Sequence, residues 1–366
     1  MVSSKKDIYL DHAATTYLDS RVTKAMLPYF EKIFANPSSL HNLGLDAKKA
    51  LDAARNSIAK ILNADPKEII FTAGGTESIN LAIKGVAFKK GKGHIITSKI
   101  EHPAVLNTCA YLEQKGFSVT YLDVDQYGLI SLKDLEKAII KETILISIMY
   151  ANNEIGTVQA IAEIGAIAKK HKVLFHSDAC QAAGALDLDV NKLNLNLMTL
   201  NGSKIYGPKG IGILFKSKST ILEPILHGGG QEYGIRGGTE NVPGIIGFAK
   251  ALEIAQSEKD TENKRLIGLR DYLISNVLKN IPQTFLNGHP TKRLPNNANL
   301  SFLNIEGESI LLYLNEKKIY VSTGSACSSQ QLKISHVLDA IGLNHDAAHG
   351  SIRFTLSRYN TSKEID

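Results

Sequence analysis

The sequence predicts an α/β fold built on a mostly parallel sheet with a smaller α+β companion, and three observations carry that prediction. Short apolar, β-branched runs alternate with amphipathic stretches from about residue 60 to 216, the pattern of βα units. At 366 residues the chain exceeds the size at which one hydrophobic core usually keeps growing. Beyond the Gly-rich segment 228–238 the rhythm changes to a long charged helical pattern over roughly 242–280, then to shorter strands and helices. The expected division is a large domain over 16–260 and a small one over 1–15 and 261–366.

The strands expected in the large domain are Glu68–Thr72, His94–Ser98, Ser118–Leu122, Ile144–Met149, Val173–Ser177, Leu197–Leu200 and Ile211–Phe215, each a short apolar run suited to a buried parallel strand. Between them lie helical patterns at Ser78–Phe88, Ala104–Gln114, Leu132–Ile140 and Ile161–His171. A further strand is expected at Ser351–Ser357. The last residues, with Thr361 followed three positions on by Glu364, read as the start of another helix, so more helix is expected past residue 366.

Composition narrows the function classes. A hydrophobic share of 43% and a charged share of 21% are those of a globular protein. The net charge of +6 is spread along the chain, and the clusters Lys89-Lys90-Gly91-Lys92 and Lys169-Lys170-His171-Lys172 sit at expected helix ends, where cations suit the macrodipole. They read as solvated termini rather than a nucleic-acid patch. Three cysteines, Cys109, Cys180 and Cys327, offer neither a disulfide framework nor a metal-binding pair. The first residues lack an apolar signal core and no apolar run approaches a membrane span, so the expected setting is the cytoplasm, with no membrane partner.

Several segments carry chemistry. Phe71-Thr-Ala-Gly-Gly-Thr-Glu-Ser78 leaves a strand, passes two glycines and enters a helix, a turn in which backbone N–H groups can converge on an anion. A plain βα turn is the alternative. Asp178 ends an expected buried strand, where ligands of open α/β sheets bind. A carboxylate there could pair with a protonated ring nitrogen, or simply cap the next helix. Lys204 follows a strand inside a Gly/Pro-bounded turn that can aim it inward, where desolvation would suit it to a Schiff base with an aldehyde. Lys209, in Gly-Pro-Lys-Gly, competes for that role but reads as solvent-facing. Cys327 lies in Ser322-Thr-Gly-Ser-Ala-Cys-Ser-Ser-Gln-Gln331, a small polar stretch that reads as a mobile loop bearing a reactive thiol, whereas Cys109 reads as core.

These residues, with Tyr9-Leu-Asp-His-Ala-Ala-Thr-Thr16, Asn36-Pro-Ser-Ser-Leu-His41, Glu101-His-Pro-Ala-Val105, Ala151-Asn-Asn-Glu-Ile-Gly156, His176-Ser-Asp-Ala-Cys-Gln181, Lys204-Ile-Tyr-Gly-Pro-Lys-Gly210, Arg236-Gly-Gly-Thr-Glu-Asn241 and Ser351-Ile-Arg-Phe-Thr-Leu-Ser-Arg358, fall in an order and spacing that run the length of the chain. In them the chain resembles the cysteine desulfurases of the NifS/IscS type, within the class V aminotransferase family of fold-type I pyridoxal 5′-phosphate (PLP) enzymes. The resemblance implies a seven-stranded central sheet with helices on both faces. It implies PLP as cofactor, L-cysteine as substrate, alanine as product and a persulfide on Cys327. The sulfur would pass to an acceptor or iron–sulfur scaffold protein, for cluster assembly or tRNA thiolation, with Cys327 able to act as a transient iron–sulfur ligand and no other metal involved.

The resemblance also implies roles. Lys204 would join the cofactor aldehyde, Asp178 would pair with the ring nitrogen, and Gln181 and Asn153 would reach the phenolic oxygen. His102 would stack on the ring and pass protons, although a helix-entry histidine before Pro103 is the plain alternative. Gly75, Thr76 and Ser203 would hold the phosphate, and Thr239 would reach the phosphate of a neighbouring subunit, which implies a homodimer. Arg353 would clamp the substrate carboxylate, with an internal salt bridge as the alternative. Two positions depart from the family: relatives carry histidine where this chain has Ser203 and serine where it has Asn201, so a weaker phosphate grip is expected. Rival readings are a selenocysteine lyase, another class V lyase or transaminase, and a scaffold that keeps the fold without turnover.

Overall fold

The computed structural model describes residues 7–323 and 334–366. Its strands are β1 Ile8–Tyr9, β2 Ile69–Thr72, β3 His94–Ser98, β4 Ser118–Leu122, β5 Thr143–Ser147, β6 Leu174–Asp178, β7 Leu197–Asn201, β8 Gly212–Lys216, β9 Thr284–Asn287, β10 Asn297–Phe302, β11 Ile319–Tyr320 and β12 Ser351–Thr355. A seven-stranded sheet runs in the order β2-β8-β7-β6-β5-β3-β4. Five of these strands pair in parallel, and β8 runs antiparallel to both neighbours. All seven expected strands form, with bounds shifted by a residue or two. Glu68 is lost from β2 because its carboxylate reaches back to the Asp65 N–H at 2.9 Å and closes a capped 3-10 turn over Pro66–Glu68.

Successive side chains on a strand face opposite ways, so each buried strand feeds two cores. Ile96, Ile146 and Phe175 face the helices Asn42–Leu62 and Val242–Asn280 through Leu51, Ile58, Phe248 and Leu252. Their neighbours Ile95 and Leu145 face the helices Gly75–Lys90 and Pro103–Glu113 through Ile79, Ile83, Val86 and Leu112. Full burial of each such side chain contributes about 1.5–3 kcal/mol. A second, antiparallel sheet, β12-β10-β9, is lined by Leu300 and Ile352 against Leu273 and Ile274 late in the long helix. The two-residue parallel pair of β1 with β11 ties the first described residues to this end. Among the described residues no helix is long and apolar enough to cross a membrane.

One buried ion pair braces the Gly-rich segment after the sheet. Arg55 meets both carboxylate oxygens of Glu232 at 2.8 and 2.7 Å, and Glu232 also accepts the Phe71 N–H at 2.9 Å. The guanidinium lies over the rings of Phe71 and Tyr233. This clamp holds Glu232 and Tyr233 in left-handed backbone, φ 45° and 60°, which non-glycine residues adopt only when the surroundings fix them. Arg55→Met leaves the Glu232 carboxylate buried without its partner, so the variant should unfold in urea with a stability loss of about 3–5 kcal/mol.

Candidate active site

Parallel strands that end along one edge deliver their next residues to one place. Asp178 is the last residue of β6, Asn201 ends β7, Lys204 closes the 3-10 turn Gly202–Lys204 after it, His102 follows β3, and Asn153 follows β5. These five line a cavity of about 300 Å³ together with Gly75, Thr76, Gln181, Arg353 and the backbone of Ala13 and Ala14. The volume is that of a small-molecule pocket.

Lys204 is aimed inward, its Nζ donating to the carbonyls of Ala13 at 2.9 Å and Ala14 at 2.5 Å. Burial, helped by the nearby Arg353 charge and opposed by Cys180 and Asp178, lowers its pKa from the usual lysine range. Lys209 is exposed, and of the two lysines Lys204 is the one that lines the cavity. Asp178 is 7% exposed and accepts the Cys180 N–H at 3.0 Å, so it makes a local turn and lines the cavity at once. His102 likewise both lines the cavity and enters a helix. It caps the helix Pro103–Glu113, its Nδ1 accepting the Ala104 N–H at 3.0 Å, and burial lowers its pKa. Gln181 donates to the Ala13 carbonyl at 3.0 Å.

Of the residues expected at a phosphate, Gly75 and Thr76 line the cavity and Ser203 does not. The helix Gly75–Lys90 begins three residues earlier than its apolar pattern, so Gly75 and Thr76 stand in its first turn with their N–H groups at the positive end of the dipole. Gly75 is required there, because a Cβ would approach the Cys180 Sγ to 2.9 Å. Asn201 occupies this corner, its Nδ2 3.7 Å from the point where that Cβ would lie. Ser203 does not line the cavity, and its carbonyl takes the N–H and hydroxyl of Thr16 at 2.9 and 3.0 Å. Thr239 is exposed and also outside the wall. Cys327 lies outside the described residues. Cys109 is fully buried, its thiol pushed up to about 12, and Cys180 is raised by burial beneath the cavity.

Arg353 is 2% exposed and is not unpaired: Nη2 meets Asp11 Oδ1 at 2.6 Å and Nη1 donates to the Asn153 carbonyl at 3.2 Å. Its Nε is buried and has no partner among the described residues. Sequence reading missed Asp11, 342 residues away, because no local pattern marks a long-range ion pair. It also missed Glu101, which is wholly buried, accepts from Ser98 and from the Met149 N–H through Oε1, and leaves Oε2 without a partner. Burial, with some help from Asp178, pushes Glu101 up to about 8.

The family model described as Aminotransferase class-V matches residues 8–366. Cysteine desulfurase IscS of Methanosarcina thermophila is 55% identical over 367 residues, covering 100% of this chain and 90% of that protein. Cysteine desulfurase IscS of Dictyoglomus turgidum is 53% identical, covering 99% and 92%. Among solved structures, one titled a NifS-like protein superposes with a TM-score of 0.93 at 40% identity, covering 99% of this chain and 96% of its own. SspA in complex with cysteine gives 0.84 at 41% identity, covering 97% and 100%.

The buried carboxyl of Glu101 makes a pH prediction. Its folded pKa lies above the unfolded value near 4.5, so between those values the folded state holds a proton that the unfolded state has lost. Stability should therefore fall as pH rises from about 4.5 to 8, by an amount on the order of 4 kcal/mol for this group. Glu101→Gln, neutral throughout, should flatten that part of the urea-unfolding profile and be the more stable protein at pH 8.

Proposed function

This chain belongs to the Aminotransferase class-V family, and on that premise we propose that it is a PLP-dependent cysteine desulfurase that turns L-cysteine into L-alanine and carries the sulfur on Cys327. The observation that carries the reading is the convergence of Lys204, Asp178, His102, Gln181 and Arg353 on one cavity at the strand ends. The residues present fit the cofactor: a glycine at the helix start where a Cβ would strike Cys180, an inward lysine and an adjacent buried carboxylate. When bound, PLP supplies an aldehyde for the substrate amine and a cationic ring that takes up an electron pair.

The residues divide the work of holding it. Gly75, Thr76 and Asn201 would hold the phosphate, with Asn201 in the place expected of Ser203. Asp178 would pair with the ring nitrogen, Gln181 and Asn153 would reach the phenolic oxygen, and His102 would cover the face. Lys204 would join the aldehyde carbon. Once displaced, its partly desolvated amine can take the proton from the substrate Cα and give it back later. The free Arg353 Nε would donate to the substrate carboxylate. Cys327, as thiolate, would attack the substrate sulfur: an S–S bond forms as the Cβ–S bond breaks, the bonding pair leaves with Cβ, which takes up a proton to become the methyl group of alanine, and the persulfide is passed to an acceptor protein for iron–sulfur cluster assembly or tRNA thiolation.

Residues 16–260 would form the cofactor-binding unit, and 1–15 with 261–366 the smaller one that bears Cys327, a division supported by the separate apolar cluster around β10 and β12. A homodimer is supported by large apolar side chains exposed along one stretch, Leu27 at 55%, Phe30 at 59%, Phe34 at 67% and Leu40 at 91%. Thr239, outside its own cavity, would then complete the partner's site. The reading places the enzyme in a reducing compartment such as the cytoplasm.

The direct test incubates the protein with PLP and cysteine and measures alanine, with selenocysteine as competitor. Cys327→Ala should keep the yellow cofactor and its spectral change on adding cysteine yet lose sulfide and alanine production. Undiminished sulfide release by that variant would sink the persulfide mechanism. For the phosphate corner, Asn201→Ala should weaken PLP binding about tenfold in equilibrium dialysis, the loss of one hydrogen bond to a charged group, while Ser203→Ala leaves it within about twofold.

A further inference from the structure

A second cavity, of about 60 Å³, lies against Lys204 and Gln181 and is otherwise walled by a different set of residues from the reaction cavity. Its wall is polar, with His12, Thr16, Glu258, Glu262, Asn296 and Arg358, and its outer end is marked by the partly exposed carboxylates of Glu258 and Glu262. At about 15 Å³ per molecule it has room for a few waters, each with polar partners in reach. His12, in the Tyr9–Thr16 motif that the proposed function leaves without a role, is 4% exposed and lines this cavity. Burial pushes His12 down to about 4 against the pull of the Tyr9 carbonyl, so at pH 7 it is a neutral ring with one nitrogen to donate and one to accept a hydrogen bond.

We propose that this rear cavity is a hydrated proton-exchange passage joining Lys204 to solvent behind the substrate, with His12 as its relay. The inference rests on the proposed function, in which Lys204 takes the α-proton of cysteine while substrate fills the front cavity. The exchange is balanced: an N–H bond of the Lys204 ammonium breaks as its proton passes to cavity water, a solvent proton forms a new N–H bond, and no electrons are transferred.

The test supplies the PLP-loaded enzyme with cysteine deuterated at Cα in ordinary water and reads the deuterium left in alanine by mass spectrometry. The unaltered enzyme should lose most of the label. His12→Leu, which removes the relay, and Gly184→Val, which fills the passage, should each retain at least threefold more. Gly184 suits this because a Cβ there meets nothing nearer than Ile205 Cγ2 at 3.7 Å. An unchanged cofactor absorbance and melting temperature verify that each variant is folded and loaded, and if His12→Leu fails that check Gly184→Val alone decides. Equal label in the unaltered enzyme and the folded variant, or full retention by the unaltered enzyme, overturns the passage. Absence of alanine altogether would instead overturn the desulfurase reading.

Discussion

A guanidinium with almost no access to water has to be neutralised by the protein around it, and the arrangement that neutralises Arg353 fixes much of the site. Asp11 provides the countercharge and the Asn153 carbonyl a second acceptor, so one side chain joins the N-terminal segment, β12 and the loop after β5. The backbone of Arg353 exchanges hydrogen bonds with Ser322, at 2.7 Å for the N–H it donates and 3.3 Å for the one it accepts. Breaking a buried pair by removing one partner is expensive, about 3–5 kcal/mol, so these parts move together or not at all. The same N-terminal segment continues into Ala13 and Ala14, whose carbonyls hold the Lys204 ammonium, and the Ala13 N–H is fixed by Thr355 Oγ1 at 2.9 Å. The position of Lys204 thus depends on contacts spanning nearly the whole chain.

That dependence explains which features could be read in advance. Strand identity is a local matter of apolar, β-branched runs, and all seven expected strands of the large sheet are present. Residues delivered by strand ends, Asp178 and Lys204 above all, are legible for the same reason, since the end of a buried strand is where a polar side chain becomes useful. The placement of Ser203 and Asn201 relative to the cavity could not be separated from sequence, because both lie within three residues of Lys204. The distinction comes from the 3-10 turn Gly202–Lys204, which sends the Ser203 carbonyl to Thr16 and leaves Asn201 at the helix start. Pairings such as Arg353 with Asp11 and Arg55 with Glu232 are set by tertiary packing alone.

The two-sided reading of ambiguous residues also has a physical cause. His102 and Asp178 each satisfy a neighbouring backbone N–H and line the cavity. A residue at the mouth of a buried strand must do the first to be there at all, since an unpaired N–H in that position is costly. The backbone contact uses one ring nitrogen of His102 and one carboxylate oxygen of Asp178 and fixes the orientation of each side chain. Capping a backbone N–H and lining the cavity are therefore compatible at these positions, and the alternatives posed by the sequence do not exclude each other.

Charge near the cavity is rationed by burial. His176, held between Ser147 and Thr199 at 2.9 and 3.0 Å, is pushed down to about 4, Glu101 is pushed up to about 8, and the Cys180 thiol is raised as well. All three are neutral at pH 7, although all lie around the strand ends that bear the site. Had Glu101 been ionised, it would have placed a second negative charge close to Asp178. With it neutral, the ionisable groups that face the cavity are chiefly Asp178, Lys204 and Arg353. A low-dielectric surround containing polar but uncharged groups strengthens the field of those few, and that selective neutrality suits the cavity to a cofactor negative at one end and cationic in its ring.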